Sequence, residues 1–383
     1  MAKIRLSEVV DIISGYAFKA SQFKRTGVPV IRISDLDGDK VTISKNTARI
    51  DKAEIDEKYL LKKGDLLIGL SGSIGKIGVF SSDELAYLNQ RVGKVITKEG
   101  ISEDFAVYLI NNLVKLMKKD SVGGTVLNIS PTTIKNYEVY LPNKNEQNLI
   151  SNKLKKIETI IQIRKDQIQA LDDLVESFLN NLIEKYINNQ IDIEKVLVKI
   201  TSGKSLAGEE SSSYKVLKTS CLYSGYFNDN EWKNLPIDYT PNYDHFIKKD
   251  DILVSRMNTE ELVGANAYIW KDYDNLTVPD RIWRLITNSK INNIYLWKFL
   301  QTQLYRSQIS KISTGTSGSM KNISQKNFSS IKIVLPPLDQ QNKFASLVEK
   351  IENQKEILNS SLDELTDLFD CLMQDAFDGS LIK

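Results

Sequence analysis

Leu141-Pro142-Asn143-Lys144-Asn145-Glu146-Gln147-Asn148 returns as Leu335-Pro336-Pro337-Leu338-Asp339-Gln340-Gln341-Asn342, 194 positions later in a chain of 383 residues. The same offset carries Asn128-Ile129-Ser130 onto Asn322-Ile323-Ser324 and Ile157-Glu158 onto Ile351-Glu352. A period this long exceeds any solenoid unit. It marks a duplicated module, a globular part followed by a helix. Such a chain can hold two similar surfaces at a set separation, which suits a linear target in two parts.

Upstream of the first quoted stretch, short apolar runs alternate with Gly, Asn and Asp: residues 28–33, 65–70, 77–80 and 92–96 read as strands. Phe105, Leu109, Leu113 and Leu116 fall on one helical face. The second copy keeps this order. Residues 246–254 match 60–68, Asp280-Arg281 falls where Gln90-Arg91 stood, and a helix is expected near 293–308. The local offset drifts through 186 and 190 to 194, so loops differ in length. All four tryptophans (Trp232, Trp270, Trp283, Trp297) lie in the second copy, which predicts a shared scaffold with different surfaces.

Downstream of each stretch runs a heptad. The first passes through Ile150, Leu154, Ile157, Ile161, Arg164, Ile168, Leu171, Val175, Phe178 and Leu182. The second passes through Phe344, Val348, Ile351, Lys355, Leu358, Leu362, Leu365, Phe369, Leu372 and Ala376. A helix of roughly 40 residues is about 60 Å long and cannot bury such a stripe alone. The two stretches have matching periods and one chain supplies both, so they are expected to pair. A parallel pair needs a return of about 60 Å that only the second globular part could bridge; the antiparallel pair is favoured. Arg164 and Lys355 are polar breaks that could fix register. The expected fold is therefore α+β: two β-rich globular domains (1–143 and 191–337) separated by an antiparallel two-helix coiled coil (144–190 and 338–383), with a pseudo-twofold internal repeat.

Composition is that of an ordinary soluble chain, 41% hydrophobic and 26% charged. The net charge of +2 is unevenly spread: residues 1–143 and 191–337 each carry +4, and residues 338–383 carry −6. Mildly basic globular parts permit nucleic-acid binding without requiring it. Met1–Val10 holds no long apolar run, so neither a signal peptide nor a membrane span is expected. Cys221 and Cys371 read as free thiols of a reducing cytoplasm.

Much catalytic chemistry is excluded. His245 is the single histidine, which removes His-based triads and metal sites. The stretch 69–76 resembles a phosphate loop but has the wrong Gly spacing, and Ile77 stands where Ser or Thr is needed. Neither a dinucleotide fingerprint nor an Asn-Pro-Pro-Tyr methyltransferase motif occurs. No catalytic, metal or cofactor residue is assigned.

The polar loops are the candidate contacts to DNA. Ser71, Ser73 and Lys76 lie where small residues let backbone N–H groups approach a phosphate. Gln90 and Arg91 are base-reading types. Thr125 and Asn128 sit in a second Gly-rich loop, and Tyr16 and Lys19 lie near the start. The second-copy counterparts are Arg256, Asn258, Thr259, Arg281, Ser317, Ser319, Lys321 and Asn322.

These features together resemble the specificity subunit of type I restriction-modification systems. The resemblance is carried by the domain–helix–domain–helix order and by Leu335-Pro336-Pro337-Leu338-Asp339-Gln340-Gln341 with its looser first copy. Further matches are Ser14-Gly15-Tyr16-Ala17-Phe18-Lys19, the strand-loop 64–76, Leu88-Asn89-Gln90-Arg91-Val92-Gly93 and the tail 372–381. Gln340 replaces the family's usual Glu, and Asn258-Thr259-Glu260-Glu261 replaces a small-residue loop. The resemblance implies a non-catalytic subunit in which each globular domain reads half of a split DNA sequence. It implies double-stranded DNA, two methyltransferase subunits and a restriction/translocase subunit as partners. S-adenosylmethionine, ATP and Mg would belong to those partners, which would methylate adenine at N6 and cleave DNA. A stand-alone DNA-binding regulator and a protein-interaction scaffold are the alternatives.

Overall fold

A computed structural model describes residues 2–36, 38, 40–52, 56–70, 76–120, 130–315 and 320–378. The chain divides into two compact units, residues 1–165 with 360–383, and residues 166–359.

In the first unit, strands 10–14, 92–97, 66–69, 77–80 and 40–41 form a five-stranded sheet in that order. A second sheet runs 49–50, 28–31, 86–88 and 60–61. Strands Leu66–Gly69 and Ala86–Leu88 are buried at every residue. Their unbroken apolar runs are what a strand covered on both faces needs. Helix α1 (Glu103–Asp120) turns Phe105, Leu109 and Leu113 into the core. Leu116 departs from the sequence expectation. It is exposed, while Val114 is buried and Met117 packs on the core, because the stripe follows 3.6 residues per turn. The short helix α2 (Pro131–Lys135) is capped by the Ser130 hydroxyl, which accepts from Thr133 N at 3.0 Å. Strand 2–5 pairs with 138–141, where the chain leads into α3 (Lys144–Lys185).

The second unit repeats this pairing pattern. Strands 197–201, 282–287, 252–255 and 266–268 form one sheet, and strands 232–234, 215–217 and 276–277 another. The pairing of 215–216 with 276–277 is parallel, as is that of 30–31 with 87–88 in the first unit. Strand 190–192 pairs with 332–334 as 2–5 pairs with 138–141. The helix expected over 293–308 is two helices, α4 (Asn293–Phe299) and α5 (Gln303–Ile312), because the Thr302 hydroxyl caps the second by accepting from Tyr305 N. Helix α6 (Gln325–Ser329) is capped by Ser324 as α2 is by Ser130. The tryptophan expectation also needs correction. Trp283 and Trp297 are fully buried beside Tyr295 and Tyr305, so half of the tryptophans distinguish the core rather than the surface.

Helix α7 (Leu338–Asp378) is the last described element. In the first unit Ile150 and Leu154 of α3 share an apolar cluster with Met373 and Ala376 of α7. In the second unit Val175, Leu179 and Ile183 of α3 share one with Phe344, Val348 and Ile351. Within each unit, then, the beginning of one helix packs with the end of the other. Phe178, expected in the stripe, is exposed and Leu179 takes its place, where α3 also packs on the globular core through Ile193 and Val196. Lys355 is buried in its stripe and donates to Asp172 Oδ1 at 2.5 Å and Tyr226 OH at 2.8 Å. Lys298 of α4 meets Glu352 at 3.3 Å and Tyr226 OH at 3.2 Å. Two ammoniums and two carboxylates thus share one partly buried network around a phenol, as buried charges require. Burial lowers the pKa of Lys298. Burial also opposes the charge on Lys355, but its bonds to Asp172 and Tyr226 outweigh that and raise it. In the first unit the position of Lys298 is taken by Tyr108, which donates to Glu158 Oε2 at 2.6 Å.

Candidate nucleic-acid interface

In the first unit a chain of backbone hydrogen bonds gathers four of the candidate residues. Gly69 N donates to Lys76 O at 2.8 Å, Leu70 N to Arg91 O at 3.0 Å, and Gln90 N to Tyr16 O at 3.0 Å. Lys76, Arg91, Gln90 and Tyr16 are therefore neighbours at one end of the five-stranded sheet. The turn 89–92 is held from a third side by Asn89 N donating to Ile31 O at 3.1 Å. Pinned on this scaffold, the side chains of Gln90 and Arg91 remain exposed. Tyr16 is 43% exposed and leans on Phe18 and on the edge of Tyr59, at centroid distances of 5.1 and 5.8 Å. An aromatic face beside donors and a guanidinium is suited to polar and stacking contacts with nucleic acid. Lys19 is exposed at the start of the 3₁₀ turn Ala20–Gln22.

Gly15 makes the close approach possible. A Cβ there would lie 2.2 Å from Leu88 O. Gly203 does the same in the second unit, where a Cβ would lie 2.0 Å from Val278 O. Only glycine lets either segment press against its turn.

In the second unit Arg256 N donates to Arg281 O at 3.0 Å, the counterpart of the Leu70–Arg91 bond. Arg256 leads into a two-stranded ribbon in which Met257 pairs with Asn322 and Asn258 with Lys321. Arg256, Asn258, Arg281, Lys321 and Asn322 are thus brought together. Buried Arg256 Nε and Asn322 Oδ1 have no hydrogen-bond partner among the described residues. Asn258 Nδ2 donates to Tyr223 OH at 3.1 Å, and Lys321 Nζ donates to Gly315 O at 3.3 Å, so both support local structure. Thr259 is exposed and its carbonyl accepts from Val263 N at 2.9 Å in the following turn. Ser71, Ser73, Thr125, Asn128, Ser317 and Ser319 lie outside the described residues.

Sequence reasoning passed over Arg32, Lys218 and Lys233. Arg32 and Lys218 each follow the strand that pairs in parallel with the strand before the turn, at 28–31 and 215–217. A cation ending a buried strand in both copies was the available signal. Lys218 lies 3.5 Å from Glu231. The Ser220 hydroxyl and then the Lys218 ammonium hold the Glu231 carboxyl below its ordinary range.

Among the described residues no group of three or more His, Cys, Asp or Glu could hold a metal ion, and no helix is long and apolar enough to cross a membrane. Cys221 is buried and Cys371 exposed, both as free thiols.

A family model described as the type I restriction modification DNA specificity domain matches residues 1–173 and again 184–367. The chain is 23% identical over 410 residues to the type I restriction enzyme EcoKI specificity subunit of Escherichia coli strain K12, covering 98% of this chain and 88% of that one. It is 31% identical over 188 residues to the MjaVIII specificity subunit of Methanocaldococcus jannaschii, covering 46% and 44%. The fold is similar to a crystal structure of a type I restriction-modification S subunit from M. genitalium. There the TM-score is 0.59 and the identity 18%, over 98% of this chain and 96% of that one.

Proposed function

The chain belongs to the type I restriction modification DNA specificity family, and from that premise we propose that it reads a DNA sequence in two separated parts and brings partner subunits to it. Specificity subunits of these systems recognise the DNA target, are non-catalytic and carry no catalytic cofactor; the catalytic activities sit in partner subunits. The finer reading assigns one half-site to residues 1–143 and the other to residues 191–337. The observation that carries it is the repeated pinned turn, presenting Gln90-Arg91 in one unit and Asp280-Arg281 in the other. Exposed Gln90 and Arg91 at the first turn can pair with adenine and guanine edges. The basic groups Lys76, Arg256 and Lys321 supply salt-dependent phosphate attraction.

Helices α3 and α7 act as the spacer and as the docking surface for two methyltransferase subunits. Exposed apolar side chains support this: Leu149, Ile160, Ile163 and Phe178 on α3, Ile357 and Leu368 on α7. Those partners bind S-adenosylmethionine and methylate adenine. A restriction/translocase subunit using ATP and Mg joins them in the cytoplasm.

The test is methylation mapping in cells carrying this chain and its methyltransferase partner. Inserting two helical turns into both α3 and α7 should lengthen the spacer and leave both half-site sequences intact. An unchanged spacer overturns the role of α3 and α7 in setting it. Replacing residues 191–337 with another recognition domain should change one half-site alone.

A further inference from the structure

Within the second unit a cleft of about 310 Å³ is lined by Ser205, Leu206, Lys218, Thr219, Lys233 and Arg281, among others. We propose that this cleft seats a phosphate of the DNA backbone, held by Lys218, Lys233 and Arg281, and so fixes the register in which the neighbouring ribbon and turn meet the bases. The proposal rests on the reading of the chain as a DNA-specificity subunit.

The three cations come from three different elements. Lys218 follows strand 215–217, Lys233 sits in the adjacent strand opposite Val216, and Arg281 occupies the turn before strand 282–287. Converging like charges repel, so a fold that gathers them gains by an anion between them. Two acids stand nearby and both are engaged. Glu231 faces Lys218, and Asp280 accepts from the Ser205 hydroxyl. Lys233 and Arg281 are exposed and make no ion pair or side-chain hydrogen bond with any described residue. Their donors are left for something outside the chain. A tetrahedral phosphodiester oxygen pair suits a guanidinium fork and two ammonium point charges.

The wall of the cleft follows from Gly203. Its missing side chain lets residues 203–207 pass against Val278 and Pro279, which closes one side. The first unit keeps part of the constellation. By the matched pairing of strands, Arg32 corresponds to Lys218 and Arg91 to Arg281, while Ala48 stands where Lys233 does. The second unit should therefore make the stronger backbone contact at this position.

The experiment measures binding of the purified full chain to a mixed-sequence DNA duplex, several helical turns long, over a series of salt concentrations. Lys233→Ala and Arg281→Ala should each lower the slope of log affinity against log salt by about 0.9, one phosphate contact apiece. Lys233→Arg should restore it, and Lys249→Ala, at an exposed lysine outside the cleft, should leave it unchanged. If the parent binds and the cleft variants keep its slope, or if Lys249→Ala lowers it equally, the cleft is not a phosphate seat and the DNA-reading function stands. If the parent binds no duplex, both readings fall together.

Discussion

Gln147 and Gln341, 194 positions apart, are both fully buried and hold the same backbone groups in their respective units. Gln147 Oε1 accepts from Ser102 N at 2.8 Å, and its Nε2 donates to Gly100 O at 2.8 Å and Pro142 O at 2.9 Å. Gln341 Oε1 accepts from Asn292 N at 2.8 Å, and its Nε2 donates to Pro336 O at 2.8 Å and Lys290 O at 3.4 Å. Each amide ties the first turn of a long helix to the entry of the helix in its globular part. This is the physical content of the repeated Leu-Pro…Gln stretch.

Gln147→Ala and Gln341→Ala should each cost about 1–3 kcal/mol for every buried backbone group left unpaired. The loss is local to one unit. Amide hydrogen exchange checks it: Ser102 N–H should lose protection in the first variant and Asn292 N–H in the second. Unaltered exchange at those amides would remove the clamp from the account.

Gly15→Ala and Gly203→Ala place a methyl group on a carbonyl oxygen at 2.2 and 2.0 Å, closer than any real Cβ contact. The chain must give way, and what moves is the support of Gln90-Arg91 or Asp280-Arg281. Each variant should abolish recognition of one half-site in methylation mapping and lower thermal stability. A variant with parental melting and parental methylation would refute the tight approach.

Lys355 is the buried cation of the α7 stripe, and removing it takes the ammonium from Asp172 and one of two ammonium donors from Tyr226, which keeps Lys298. Breaking a fully buried pair costs about 3–5 kcal/mol. Asp172 is partly exposed and can rehydrate, so Lys355→Met should cost about 1–3 kcal/mol. A double-mutant cycle with Asp172→Asn should give a coupling of at least about 0.5 kcal/mol in denaturant unfolding. Strict additivity would mean that the two side chains do not act as a pair.

The Tyr226 phenol is pushed up to about 12, first by burial and then by the Glu352 charge. Its folded pKa lies above the unfolded value, so its contribution to stability is whole below about pH 10 and is lost as pH rises towards 12. Lys298 and Lys355 titrate beside it, and Tyr226→Phe also removes one of the bonds that raise Lys355, which changes the loss in the same direction. Between about pH 9 and pH 11 the parent should lose more stability than Tyr226→Phe. Equal losses would contradict the shift.

How much of this was legible in the sequence depends on how far each residue's partners lie along the chain. The duplication was legible because Gln147 and Gln341 need the same local frame, and Ser130 and Ser324 cap equivalent short helices. The long helices were legible from their stripes. The exchange of Phe178 for Leu179 was not, because packing on the globular core decides it. The break at Thr302 carries neither Gly nor Pro and rests on a side-chain cap. In the candidate interface, Gln90 and Arg91 stood out by type and position. Arg32, Lys218 and Lys233 did not, because only the pairing of distant strands brings them beside the turns.

Glu158 and Glu352 occupy the same place in their helices; Glu158 accepts from the Tyr108 phenol, and Glu352 accepts from the Lys298 ammonium and the Tyr226 phenol. At this one position the carboxylate accepts either donor from the globular part it meets. A globular part moved from one position to the other would still find its acceptor there. It would not find Lys355, whose bond to Tyr226 ties the second globular part to its own stretch of α7.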